Sequence, residues 1–279
     1  MIACLCAKVN PKKPYTVCYF VAMYKGKTVS VVIPTYNEEG SIRAVINGFF
    51  DTGVVDEVVV IDNNALGNTK LEVAKTKARL IEEKEHQGYG AAMMRGLREA
   101  SGGLVITCEG DGTFLPNDIH KFLAYTGEFE AVFGTRTSRA AIWSGAFMPF
   151  PVRVGNWAVA KFLEVLHNGP SMTDVSCSYK LFSREVLNSI FDLFHLSSGK
   201  EAFSAEIMTW VIRRGWRPVE IPVIYKQRVG TSMYSGESVF KAAKIGFKMV
   251  LQILRYRLIH LGPIRKDIKP IRNITRERD

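Results

Sequence analysis

The chain has 279 residues, 47% of them apolar and 23% charged. That balance excludes a disordered or fibrous chain and suits one large domain, or a domain with an extension. The formal net charge of +10 favours an anionic partner, whether nucleic acid, an acidic membrane face or a phosphorylated substrate, without choosing among them.

Residues 1–27 lack clear periodicity and carry Pro11 and Pro14, so they read as an extension with one short strand at "TVCYFVAMY". Lysines follow rather than precede the short apolar start, which therefore does not read as a signal peptide. The ordered pattern begins at the buried strand "TVSVVIP", closed by Pro34. "NEEGSIRAVINGFF" predicts a helix with Ile42, Val45, Ile46 and Phe49 on one face. A strand "VDEVVVID", a helix over "TKLEVAKTKARLIEEK" and a third helix in "HQGYGAAMMRGLREA" follow. "GLVITCE" is a strand, "PNDIHKFLAY" a helix and "FEAVFGTR" a strand. Strand and helix thus alternate from Val29 to Arg136, which predicts a mostly parallel sheet with helices on both faces. The strands end in "PTYNEE", "DNN", "EGDG" and "GTR", and those loops are expected to share the ligand-binding rim.

The second half is less regular. "VRVGNWAVAKFLEVLHNG" is helical, "DVSCSYKLFSREVLNSI" starts as loop or strand and ends as helix, and "AFSAEIMTWVIRRG" is a helix stopped by Gly215. "RPVEIPVIYKQR" alternates like a strand, and a long helix runs from Ser238 to Leu261. The expected units are an extension over 1–27, a catalytic domain over 28–235 and a helical, basic tail over 236–279. The five cysteines are an odd number without metal-ligand spacing, so free thiols in a reducing cytoplasm are expected. No run of about 18 apolar residues predicts a conventional membrane span.

Glu109 and Asp111 flank one glycine at the mouth of a strand. Two acids so close repel, and a hard divalent cation, Mg²⁺ or Mn²⁺, is the natural counter-charge. The plainer alternative is a solvated turn bent by Asp111-Gly112. Asp62, at another strand end, is suited to a base edge or ribose hydroxyl, or equally to capping its turn. Glu38 and Glu39 open a helix, where the dipole alone would favour them. Gly88 and Gly90 would let backbone approach a ligand. Arg136, Arg139, Arg153 and Arg228 recur near strand ends, where guanidinium forks suit phosphate oxygens.

Six ordered blocks carry a resemblance: "VSVVIPTYNEEGSI", "EVVVIDNN", "GYGAAMMRGLREASGGLVITCEGDGTFLPNDI", "VFGTR", "DVSCSYKLFSREVL" and "IPVIYKQRVGTS". Together they resemble the inverting family 2 glycosyltransferases, nearest the dolichyl-phosphate mannose and glucose synthases. The resemblance implies an α/β GT-A (Rossmann-like) fold and a GDP- or UDP-linked sugar donor. It implies that Pro34, Tyr36, Glu38, Asp62, Gly90 and Arg228 serve the nucleotide sugar. Glu109 and Asp111 then fall on the metal-binding triplet, with Asp111 in a catalytic role. Arg136, Arg153 and Ser232 would meet the donor diphosphate or the acceptor phosphate. Asp174 matches the acid before the family's "sGfr" segment, and would be the base for a hydroxyl acceptor or a structural group for a phosphate acceptor. Three positions depart from the pattern: Asn63 replaces an acid, Glu109 replaces an aspartate and Met233 replaces a lysine.

The expected acceptor is a polyprenyl phosphate. In the tail Lys241, Lys244, Lys248 and Arg255 recur at helical spacing, with Val239, Ala243, Phe247, Val250, Leu251 and Leu254 mostly away from them. Such a helix would lie on an anionic membrane surface more cheaply than it would cross it, which implies a peripheral protein on the cytoplasmic face. The alternative is an ordinary amphipathic helix packed on the domain. Transfer to a saccharide or other hydroxyl acceptor is a second enzyme reading. A nucleotidyltransferase would carry a glycine-rich basic loop after the first strand, where this chain is acidic. A nucleic-acid-binding module would show a basic stripe interleaved with stacking aromatics, or a recognised motif; neither of these appears and the cations cluster in the tail, so no nucleic-acid partner is expected.

Overall fold

The structure, a computed structural model, describes residues 2–8, 16–22, 24–84, 88–196, 202–230 and 239–259. Strands β1 (Ile2–Lys8) and β2 (Thr16–Ala22) form an antiparallel pair. The second was expected; the first was not, because its apolar run has no alternation to read.

The main sheet has seven strands: β3 (Val29–Thr35), β4 (Glu57–Asp62), β5 (Arg79–Glu82), β6 (Leu104–Thr107), β7 (Ala131–Thr135), β8 (Lys180–Ser183) and β9 (Pro218–Pro222). Their order is β5-β4-β3-β6-β8-β7-β9, and only β8 runs against its neighbours. The central strands are apolar on both faces because both faces are covered. Alternation sorts their side chains into two cores. Val32, Val59 and Ile61 face α3 (Tyr89–Glu99), α5 (Phe150–His167), α6 (Arg184–Ile190), α7 (Phe203–Arg213) and α8 (Val239–Leu258). Val29, Val31, Ile33, Val58 and Val60 face α1 (Ile42–Asp51), α2 (Thr69–Ala74) and α4 (Ile119–Tyr125). Pro34 stands in a central strand without breaking it because pairing with β6 has already stopped at Val32.

Two expectations are corrected. The second helix ends at Ala74, and "RLIE" becomes edge strand β5 beside β4. The Thr76 hydroxyl bonds Val73 O at 2.7 Å and accepts from Ala78 N at 3.1 Å, turning the chain out of the helix. Glu38 and Glu39 do not open a helix; α1 starts at Ile42 after a turn held by Ser41 N donating to Glu38 O. The uncertain start of "DVSCSYKLFSREVLNSI" resolves as loop followed by β8, whose Ser183 Oγ then caps α6.

Helix α8 has two apolar faces. Met249, Ile253 and Tyr256 are buried against α5 and α7, Tyr256 lying 4.3 Å from the Trp210 ring and His167 Nε2 3.2 Å from Ile253 O. Phe240, Phe247, Leu251, Leu254 and Leu258 form a second stripe that is exposed. The helix packs on the domain, as one of the two tail readings expects, and also presents an exposed apolar edge. No described helix is long and apolar enough to cross a membrane.

Candidate active site

Six strands of the sheet are parallel, so the loops after β3, β4, β6, β7 and β9 leave from one rim. Antiparallel β8 begins where the others end, which brings residues 173–179 to the same rim. The chain order reverses at β3, between β4 and β6, and such a switch point opens the ligand crevice. Glu38 follows β3 there, and Glu109 and Asp111 follow β6.

Asp111 is 1% exposed. Its Oδ1 accepts from Thr113 N at 2.9 Å and Thr113 Oγ1 at 2.6 Å. Its Oδ2 accepts from Arg228 Nε at 2.8 Å, and Arg228 Nη2 lies 2.8 Å from the same oxygen in the ion pair. Arg228 Nη2 also reaches Glu38 Oε1 at 3.3 Å, and Thr35 Oγ1 donates to Glu38 Oε2 at 3.0 Å. Residues far apart in sequence meet because the backbone after β9 zips onto the acidic loop: Lys226 N donates to Thr113 O at 2.8 Å and Val229 N to Asp111 O at 3.0 Å. Gly110 gives the Glu38 carboxylate room, since a Cβ there would lie 2.5 Å from Glu38 Oε2 and 2.8 Å from Ile42 Cδ1 and would force those side chains to shift.

Burial, then the charge of Asp111, pushes the Glu38 carboxyl up to about 8 despite Arg228. Burial and Asp111 likewise push Glu109 up to about 7. Three acids thus face Arg228, with Arg136 also acting on Glu109, and the raised carboxyls mark a site short of positive charge. The acidic groups gathered here offer carboxylate oxygens, which suit a hard cation such as Mg²⁺ or Mn²⁺. Among the described residues no three acidic, histidine or cysteine side chains form a complete metal cage. An ion held here would take a couple of carboxylates and fill its shell with water and substrate phosphate.

The remaining predicted residues divide. Asp62 is wholly buried; its Oδ1 caps the following turn from Ala65 N at 3.0 Å, and its Oδ2 has no hydrogen-bond donor, with Lys70 Nζ at 3.4 Å. Pro34 is buried and Tyr36 half-buried at the end of β3, and Gly90 is buried in the first turn of α3, behind Gly88 with φ +94°. Arg136 and Asp174 meet in a saturated pair. Asp174 Oδ2 accepts from Arg136 N at 3.0 Å and Nε at 2.8 Å, and Oδ1 from Arg136 Nη2 at 3.0 Å and Ser176 N at 3.1 Å. Asp174 is fully buried and, its burial outweighed by Arg136, is held below the usual carboxylate range. Every lone pair of the Asp174 carboxylate is thus engaged within the protein. Arg153, in the first turn of α5, lies 5.5 Å over the Phe150 ring and joins neither ion pair. Ser232 lies outside the described residues.

Three contributors were missed from sequence. Thr113 fixes Asp111. Glu220 holds the Asp174 loop by accepting from Thr173 N and Asp174 N, at 2.8 and 2.9 Å. Buried Lys180 donates to Cys177 O and, at 2.6 Å, to Ser204 Oγ. The signal for the last two was a charged residue inside an alternating apolar strand, "PVEIPV" and "SYKLF".

Residues 30–191 match Glycosyl transferase family 2. The dolichyl-phosphate hexose transferase of Haloferax volcanii is 28% identical over 84% of this chain and 98% of its own length. The undecaprenyl-phosphate mannosyltransferase of Micrococcus luteus is 25% identical over 82% of this chain and 98% of its own. In fold the chain is similar to glucosyl-3-phosphoglycerate synthase from Mycobacterium tuberculosis, solved with Mn²⁺, UDP and phosphoglyceric acid: TM-score 0.62, 19% identity, 85% of this chain and 81% of that one. The sheet with its single reversed strand is thus a GT-A fold, and the chain belongs to glycosyl transferase family 2, making it a glycosyltransferase.

Proposed function

We propose that this enzyme moves a hexose from a GDP- or UDP-linked donor to a polyprenyl phosphate at a membrane surface, assisted by Mg²⁺ or Mn²⁺. The observation that carries the reading is the undercompensated carboxylate cluster at the switch point. Glu109 and Asp111 would hold the cation, whose chemistry when bound would be to neutralise charge on the departing nucleoside diphosphate. Pro34, Tyr36, Glu38, Asp62 and Gly90 line the nucleotide side, Asp62 through the oxygen its turn leaves free. Arg228 and Ser232 serve the phosphates. Asp174 acts through Arg136, fixing a buried positive charge beside the crevice. A phosphate acceptor is already ionised near neutral pH and needs no base, which agrees with the absence of a free proton acceptor at Asp174.

The exposed apolar surface supports the lipid acceptor. Trp143, Phe147, Phe150, Val154 and Trp157 are all more than two-fifths exposed, and the apolar edge of α8 belongs to the helix packed on α5. This patch adjoins the crevice: Trp143 N donates to Tyr225 O at 2.9 Å, three residues before Arg228. Lys244, Lys248 and Arg255 flank the α8 stripe, as an anionic bilayer face would require. The homologues above carry polyprenyl-type acceptors in their names, and the domain limits 28–235 and 236–279 follow the same division of labour. This exposed apolar surface supports a peripheral enzyme, which the proposal sets on the cytoplasmic face.

The decisive experiment offers a panel of labelled sugar nucleotides with polyprenyl phosphate and Mg²⁺ or Mn²⁺. Label extracted into organic solvent is the expected result. Label found only in water-soluble saccharide would replace the lipid reading with a hydroxyl acceptor. Separately, the double change Phe247→Ser and Leu251→Ser should weaken flotation with anionic liposomes by about tenfold, roughly the loss of one buried large side chain. Unchanged flotation would remove α8 from the membrane.

A further inference from the structure

The one oxygen of Asp111 that Thr113 does not fill is occupied by Arg228 through two nitrogens, both at 2.8 Å. A cation binding Asp111 through that oxygen meets a guanidinium already there. The two occupants exclude each other, by shared lone pairs and by like charge.

We propose that Arg228 is a built-in counter-cation, holding the carboxylate cluster together until the metal and the nucleotide arrive and then moving onto phosphate. The inference rests on the metal reading of Glu109 and Asp111 given above. Three observations carry it. The Arg228 side chain is 30% exposed while that of Asp111 is 2% exposed, so the guanidinium, not the carboxylate, has room to leave. The backbone on both sides of Arg228 is fixed, Lys226 N to Thr113 O and Val229 N to Asp111 O, so the exchange is confined to one side chain. The second contact of Arg228, to Glu38 Oε1 at 3.3 Å, is long and readily given up. A departing guanidinium needs a new anion, and the phosphates of the nucleotide match its planar fork. Metal alone must displace Arg228 into water, whereas metal with nucleotide moves it onto phosphate. The two ligands therefore bind cooperatively, each raising the affinity of the other by the same factor.

The test titrates Mn²⁺ alone into the full-length protein and reads free Mn²⁺ by electron paramagnetic resonance. Arg228→Gln removes the competitor and should bind Mn²⁺ about tenfold more tightly than the parent, within what a unit charge a few ångströms away supplies at a partly buried site. Its transfer rate should fall, so affinity and activity move in opposite directions. Arg228→Lys keeps the charge and should stay within about threefold of the parent. Unchanged or weaker Mn²⁺ binding in Arg228→Gln overturns the proposal, as does equal tightening in Arg228→Lys. In either case the metal site itself would survive. Loss of Mn²⁺ binding from parent and variants alike, with UDP or GDP present as well, would instead remove the metal reading and this inference with it.

Discussion

Two arginine–aspartate pairs stand on one rim and could hardly differ more. Arg136 and Asp174 are both buried, joined by two side-chain bonds and a backbone bond, and every Asp174 lone pair is engaged. Arg228 and Asp111 share a site with Glu38 and Glu109, two acids whose carboxyls burial and repulsion push up to about 8 and about 7. In the first pair each charge meets its counter-charge at close range. In the second, burial and mutual repulsion of the acids outweigh the one guanidinium they share. A buried ion pair is thus no sign of function in itself; what matters is whether its charge is balanced.

The sharpest way to break this comparison is Asp111→Asn. Transfer should fall by about three orders of magnitude, roughly 4 kcal/mol in the barrier, while the unfolding midpoint stays close to that of the parent. A rate within a few-fold of wild type would show that the acid-x-acid loop is only a turn. Asp174→Asn should do the reverse. Leaving Arg136 buried without its counter-charge costs about 3 kcal/mol of stability in denaturant titrations, and the protein that remains folded should keep most of its transfer rate. Intact stability with lost activity would put Asp174 into the chemistry instead.

The smallest effect concerns Lys180, on the scaffold side of the rim. Burial lowers its ammonium from 10.5 to about 8. Between those values the unfolded chain keeps a proton that the folded chain has lost, so this group makes stability rise with pH across that window. The rise should be on the order of 2 kcal/mol and should vanish in Lys180→Met. Urea titrations at the two ends of the window, for parent and variant, give the difference directly; parallel curves would mean that Lys180 does not titrate there.

Much of the architecture was legible beforehand. The apolar runs of β3, β4 and β6 announce strands buried on both faces, and the polar residues closing them announce a shared rim. Strand β5 differs from the expected helix because two apolar residues, Leu80 and Ile81, between charges carry too little period to outweigh a helical neighbour, and only pairing with β4 decides it. At the site, Glu109, Asp111 and Asp62 were visible as acids at strand ends. The partners of Asp111 were visible only as types.

What the sequence determined by itself is local: which segments bury both faces, where the acids cluster, and that arginines stand near strand ends. Only the tertiary structure decided which arginine meets which acid. Arg228 lies 117 positions from Asp111, and Arg136 lies 38 from Asp174. Those pairings follow from β8 running backwards and from the segment after β9 zipping onto the acidic loop. The physical reason is that charge compensation is a property of space within a few ångströms, which spacing along a chain does not encode.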